Sequence, residues 1–221
     1  LGPADKPFGG LAPALVGADI LASFAESDKA KAVYRSVGSG RPGDMKFMPF
    51  YAQYERRAAV YFNAYSESEW AASEVAFRKE EARLRELAAR SVDVMHLGEM
   101  QPERDHDLQS DISYPVSYRG RNGRDARTGG YFSFRMTCDN GPLVLQASYW
   151  GEERNRDFHI SVDGERIARV KLDGSHPGVF IDREYPVPER LTSGKASVVV
   201  RFEPETGFTA GPVFGARLFK P

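Results

Sequence analysis

The residues best suited to chemistry form one run, Tyr149-Trp150-Gly151-Glu152-Glu153-Arg154-Asn155-Arg156-Asp157. Aromatic rings stack on the apolar faces of sugars, while Arg, Asn and Asp hydrogen-bond hydroxyl groups. Tyr149, Trp150, Arg154 and Asp157 are therefore candidate saccharide-binding residues, provided the fold sets them around one concave surface. A structural reading stands beside this one: Tyr149 or Trp150 fills the core, and Arg154 or Arg156 pairs with Asp157. His159 falls on the polar phase of its strand and is assigned no role.

Other constellations are weaker. Glu103, Asp105 and Asp107 lie close to His106. Glycoside hydrolysis needs two carboxyls about 5–10 Å apart across a sugar, and no surrounding pattern marks a cleft for them. A solvated loop or a cap is the expected fate of this cluster, so no catalytic residue is assigned. Arg119, Arg121, Arg124 and Arg127 form a basic run broken by Asp125 and interleaved with glycines, which reads as a loop. Cys138 is the only cysteine; it excludes an internal disulfide and a cysteine-based zinc cluster, and is expected as a small buried residue in a strand. No spacing selects a metal or any other cofactor.

The elements that must position these residues follow from periodicity. The chain has 221 residues, 28% charged and 41% hydrophobic, enough apolar material for a substantial core. Its net charge of −1 gives no field favouring nucleic acid. No apolar run approaches the roughly 20 residues that span a bilayer. The chain opens on Leu1 rather than Met, without a signal-peptide pattern, and reads as a piece of something longer.

Three segments are expected. Residues 1–65 are rich in Gly, Ala and Pro and then aromatic, with strands at 46–50 and 57–65, and read as completing a sheet whose other strands lie upstream or as packing on the rest of this chain. Residues 66–90 read as one long helix opened by a Ser66/Glu69 capping box and roughly 37 Å in length. Residues 91–221 read as all-β. Phe132, Phe134 and Met136 alternate with polar residues, as do Leu143, Leu145, Ala147 and Tyr149, then Phe158, Ile160 and Val162, then Val198, Val200 and Phe202. Asp163-Gly164 marks a hairpin between strands at 158–162 and 166–172. Further strands are expected at 179–185 and 213–219. The fold class is thus mainly β: an antiparallel, jelly-roll-like sandwich preceded by one long helix and a short partial β segment.

The stretch from Phe47-Met48-Pro49-Phe50-Tyr51 to Arg57-Ala58-Ala59-Val60-Tyr61-Phe62 resembles a segment of glycoside hydrolase family 127, the DUF1680 or β-L-arabinofuranosidase-like group. So, in the same order, do the helix that follows, Gly98-Glu99-Met100-Gln101-Pro102-Glu103, His106-Asp107-Leu108-Gln109-Ser110, Tyr149-Trp150-Gly151, Phe158-His159-Ile160-Ser161-Val162-Asp163-Gly164 and Ala210-Gly211-Pro212-Val213. The resemblance implies a C-terminal position in such a protein, after an (α/α)6 barrel that carries the family's catalytic cysteine, glutamate and zinc, and implies that residues 1–65 are the end of an upstream β-sandwich. Cys138 matches none of those motifs, so no catalytic or metal-binding residue is carried over. The resemblance also implies a periplasmic or extracellular location and an upstream catalytic domain as partner, while the all-β pattern and the missing catalytic set point to a non-catalytic accessory role with a plant-type glycan as a further partner. A purely structural or assembly role is the alternative; an independent hydrolase built on Glu103–Asp107 is the third.

Overall fold

In the computed structural model, the described residues are 4–5, 14–17, 24–37, 45–52, 56–57 and 62–221. The chain divides into two compact units, Leu1–Arg83 and Leu84–Pro221.

The N-terminal unit holds short strands: β1 (Ala4–Asp5), β2 (Ala14–Val16), β3 (Phe24–Asp28), β4 (Val33–Ser36), β5 (Lys46–Phe47), β6 (Arg56–Arg57) and β7 (Asn63–Tyr65). β3, β4 and β5 form an antiparallel sheet, and the pairs β1–β6 and β2–β7 are parallel. Phe24, Phe47 and Phe62 gather with ring centres 5.7–5.9 Å apart. The strand expected over 46–50 stops at Phe47, and Phe50 enters a helical turn because Pro49 cannot donate to a ladder. Of the strand expected over 57–65, Asn63–Tyr65 pairs, and residues 58–61 lie outside the described ones.

Helix α1 (Glu67–Arg90) contains the boundary between the units. Its start is the expected capping box: the Glu69 amide donates to Ser66 Oγ at 3.3 Å, and the Ser66 amide donates to Glu69 Oε2 at 2.8 Å.

The C-terminal unit is an antiparallel β-sandwich. Its elements are β8 (Ser91–Met95), α2 (Met100–Asp105), β9 (Gln109–Tyr118), β10 (Arg121–Thr137), β11 (Leu143–Trp150), β12 (Arg156–Val162), β13 (Glu165–Leu172), β14 (Phe180–Val187), α3 (Glu189–Thr192), β15 (Ser197–Pro204) and β16 (Ala210–Phe219). Hydrogen bonding runs in the order β13-β12-β15-β10-β16-β11-β14. The long β10 carries the chain from one layer to the other. Its second half pairs with β15, from Phe132↔Phe202 to Thr137↔Ser197, and its first half meets β16 at Arg124↔Val213 and Ala126↔Ala210. β9 runs along both halves of β10, and β8 pairs with β16.

The expected alternation places the core. Phe132, Phe134, Met136, Phe158, Ile160, Val198, Val200 and Phe202 face inward from one layer; Leu143, Leu145, Ala147, Tyr149 and Leu218 face them from the other. The two sets meet where the Tyr149 and Phe158 rings lie 6.0 Å apart. Asp163 and Gly164 take positive φ, 47° and 83°, and form the expected hairpin turn between paired Val162 and Glu165.

The basic run is corrected. Arg121–Thr137 is one continuous strand rather than a loop. The glycines there permit close approach between backbones: a Cβ on Gly123 would lie 2.6 Å from Val213 O, and one on Gly130 would lie 2.4 Å from Asp111 O. Cys138 follows directly after β10, buried, with its thiol directed at Lys195 O at 3.4 Å.

Candidate functional site

The β9–β10 hairpin turns on Arg119 and Gly120, both at positive φ (45° and 76°), between the paired residues Tyr118 and Arg121. This tight turn sets Tyr118, Arg119 and Arg121 at one rim of the sandwich. Trp150, at the end of β11, stands opposite Phe180, at the start of β14. A row of rings results: Tyr118–Trp150 at 5.1 Å, Trp150–Phe180 at 5.1 Å and Phe180–Phe214 at 5.0 Å between centres. The edge-to-face and tilted arrangements suit the ring quadrupoles. Two guanidiniums cap the row. Arg119 lies 4.8 Å from the Trp150 ring centre, and Arg121 lies 4.3 Å from that of Phe180.

Tyr118 is the open end of this row, 42% exposed, whereas Trp150 is 5% exposed. Trp150 therefore supports the platform, and Tyr118 is its exposed end, with the Arg119 guanidinium 5.8 Å from its ring centre as well. Neither Arg119 nor Arg121 meets a carboxylate among the described residues.

The loop after Trp150 is fastened to the loop before Phe180. The Gly151 amide donates to Val179 O at 2.9 Å, the His176 amide to Gly151 O at 3.1 Å, and the Gly178 amide to Glu152 Oε1 at 2.8 Å. Gly151 is required at this crossing, since a Cβ there would lie 2.1 Å from His176 O. Arg154 is exposed and lies across Gly174.

The four residues expected to bind saccharide do not converge. Tyr149 is fully buried, and its hydroxyl hydrogen-bonds that of Tyr185 at 3.1 Å. Burial, followed by the neighbouring Tyr185, raises its phenol well above the ordinary value. Its ring is part of the core and offers no face to a ligand, which corrects that expectation. Asp157 is held by Arg169 through two bonds of 2.8 and 2.9 Å and by Lys171 at 3.4 Å. The Arg169 bond keeps its carboxyl below the usual range. Strand alternation turns Trp150 and Asp157 away from the core on different layers, so they cannot share one ligand. The pairing partner proposed for Asp157 also differs, because Arg156 is taken by Glu153 at 2.7 Å.

Asp157 belongs instead to a charge lattice on the outer face of β12, β13 and β15. Arg166 and Arg169 reach Glu205 at 3.3 and 3.9 Å, and Arg201 reaches Glu203 at 2.7 Å while lying 3.5 Å from the Tyr131 ring centre. His159 sits among them, 3.7 Å from Glu203. Each carboxylate there has at least one cationic partner.

The acidic cluster is likewise committed to structure. Glu103 pairs with Arg124, Asp105 accepts from Gln101 at 2.7 Å, and Asp107 pairs with Arg135 at 3.3 Å. Among the described residues no group of three or more His, Cys, Asp or Glu could hold a metal ion, and no helix is long and apolar enough to cross a membrane. The N-terminal unit has an open groove of about 690 Å³ lined by Gly17, Ala64, Tyr65, Ser66, Glu67 and Ser68; none of the residues discussed above for binding chemistry lines it.

Fold and rim together define an antiparallel β-sandwich with an aromatic and guanidinium platform at one edge. The chain belongs to the family described as "Family of unknown function (DUF6805)", whose model matches residues 86–219. No curated protein matches it. Among solved structures it is similar to a family 35 carbohydrate binding module from Clostridium thermocellum, at 16% identity over 52% of this chain and 93% of that one, with a TM-score of 0.43. It is also similar to a carbohydrate binding module of Cellvibrio mixtus lichenase 5A in complex with cellotriose, at 10% identity over 59% and 98% of the chains, TM-score 0.43. A third is an exo-β-1,3-galactanase from Phanerochaete chrysosporium, at 16% identity over 51% of this chain and 27% of that one, TM-score 0.42.

Proposed function

We propose that the C-terminal sandwich is a non-catalytic accessory module that binds glycan at the rim built by Tyr118, Arg119, Arg121 and Phe180, with Trp150 beneath them. The observation that carries this reading is the row of four rings capped by two guanidiniums that have no carboxylate partner. An exposed ring supplies the stacking surface for a sugar, and guanidinium N–H groups supply donors for its oxygens. The resemblance of several segments, in order, to the DUF1680 group supports reading the module as the C-terminal part of an exported glycoside hydrolase of that type, with the upstream catalytic domain as its partner and a plant-type glycan as its target. Arg154, on the neighbouring loop, is proposed as a peripheral contact.

Isothermal titration with arabinose-containing oligosaccharides tests the reading. Saturable binding, weakened about tenfold or more by Tyr118→Ala, is expected. Silence at millimolar ligand with the folded protein removes it.

An assembly role is favoured by a different observation. Among the described residues β9 pairs with β10 alone, and it exposes Ile112 and Tyr114 at 46% and 54%. Such an edge can accept a second strand. Light scattering that gives a monomer at high concentration counts against self-pairing there.

A further inference from the structure

We infer that the glycan held at this rim is acidic, a sugar bearing a uronate carboxylate that Arg119 and Arg121 receive. The inference deepens the glycan reading above and rests on it. Most guanidiniums of the sandwich already have an anion: Arg124 has Glu103, Arg156 has Glu153, Arg169 has Asp157 and Arg201 has Glu203. Arg119 and Arg121 have only aromatic rings beneath them. Arg154, on the loop after Trp150, likewise meets no carboxylate among the described residues. The nearby Glu152 gives one oxygen to the Gly178 amide.

A ring face attracts a guanidinium through its quadrupole but supplies no countercharge. It also fixes the planar fork while leaving its edge N–H groups free. Two such forks on either side of the Gly120 turn, beside an open tyrosine ring, match a pyranose that carries a planar carboxylate: the ring stacks and the carboxylate is bound in bidentate fashion. A neutral sugar would engage the N–H donors but not the two charges.

The test uses the full chain and a matched pair of ligands: arabinogalactan oligosaccharides ending in glucuronate, and the same oligosaccharides after carboxyl reduction to glucose. Calorimetric titration is expected to give an affinity for the acidic form at least tenfold higher, with that ratio shrinking as salt rises from 20 to 500 mM because rim charges are screened. Arg119→Gln and Arg121→Gln should each bring the ratio towards one, with unchanged circular dichroism and melting temperature as the folding control. Equal affinity for both forms, or preference for the reduced form, overturns the acidic ligand while leaving glycan binding in place. Failure of both forms and of neutral arabinose-containing oligosaccharides overturns the glycan reading itself.

Discussion

Glu103 Oε2 and Arg124 Nη2 lie 2.6 Å apart, and the second oxygen of the same carboxylate accepts from Arg124 Nε at 2.8 Å and from the Gly98 amide at 2.7 Å. The two side chains are 12% and 8% exposed. This fork-to-fork pair ties α2 to the first half of β10. An acid expected in a solvated loop or a cap is thus an anchor in space.

Removing one member leaves the other buried without its countercharge, the Arg124 side chain keeping, among the described residues, only Ser113 at 3.4 Å and that of Glu103 only the Gly98 amide. Glu103→Gln should therefore destabilise the sandwich by about 3 kcal/mol, and Glu103→Leu with Arg124→Met should recover much of that loss. Urea denaturation of Glu103→Leu, Arg124→Met and the double variant gives the coupling. Additive losses would show that the pair is not the anchor described.

Tyr149→Phe separates core from ligand roles. Deleting the hydroxyl removes one hydrogen bond to Tyr185, worth about 1 kcal/mol. Glycan affinity should be unchanged, since the ring is enclosed. A drop in affinity without a drop in stability would return Tyr149 to the binding surface.

Gly151→Ala tests the fastening of the two rim loops. A methyl group there meets the His176 backbone oxygen at 2.1 Å, and a backbone atom cannot swing aside as a side chain can. A loss of about 1–3 kcal/mol is expected from overpacking, together with weaker glycan binding. Ala tolerated without change in either property would show that the loops separate at no cost.

Acidification should weaken the sandwich in two stages. Burial, followed by the charge of Arg166, holds His159 below its ordinary value of 6.5 despite the opposing pull of Glu203 and Glu205. The unfolded chain therefore takes up this proton more readily than the folded one. The contribution of the neutral imidazole is complete above about pH 6.5 and is lost as pH falls through the folded value. Asp157, lowered first by its Arg169 hydrogen bond, contributes above its ordinary 3.8 and loses that contribution as pH falls further. Urea midpoints measured between pH 8 and 5 should fall for the parent protein and fall less for His159→Gln. Identical slopes would discount His159.

The interior was the readable part of the sequence. Period-two patterns identify β11, β12 and β15 because their buried faces are uniformly apolar. Asp163-Gly164 identifies its turn because few residues tolerate that backbone. The rim was largely unreadable. Tyr118, Arg119 and Arg121 lie more than 25 positions from Trp150 along the chain, and register alone brings them together. A signal was nonetheless present: Ile112, Tyr114, Val116 and Tyr118 alternate with Ser113, Pro115 and Ser117 before Arg119-Gly120, the mark of a strand entering a tight turn. It was masked by the polar character of an exposed edge strand. The glycines of β10 misled for a related reason, since close backbone approach and loop flexibility both call for the same residue.

β10 contributes hydrogen bonds to both layers of the sandwich, with β9 paired to it over Arg121–Ala126 and Tyr131–Ser133. Neither layer can peel away while this strand stays in place, so the two share a single seam. Its central amides should be the slowest in the molecule to exchange with deuterium, and stretching the chain from its ends should meet its greatest resistance where that seam gives way.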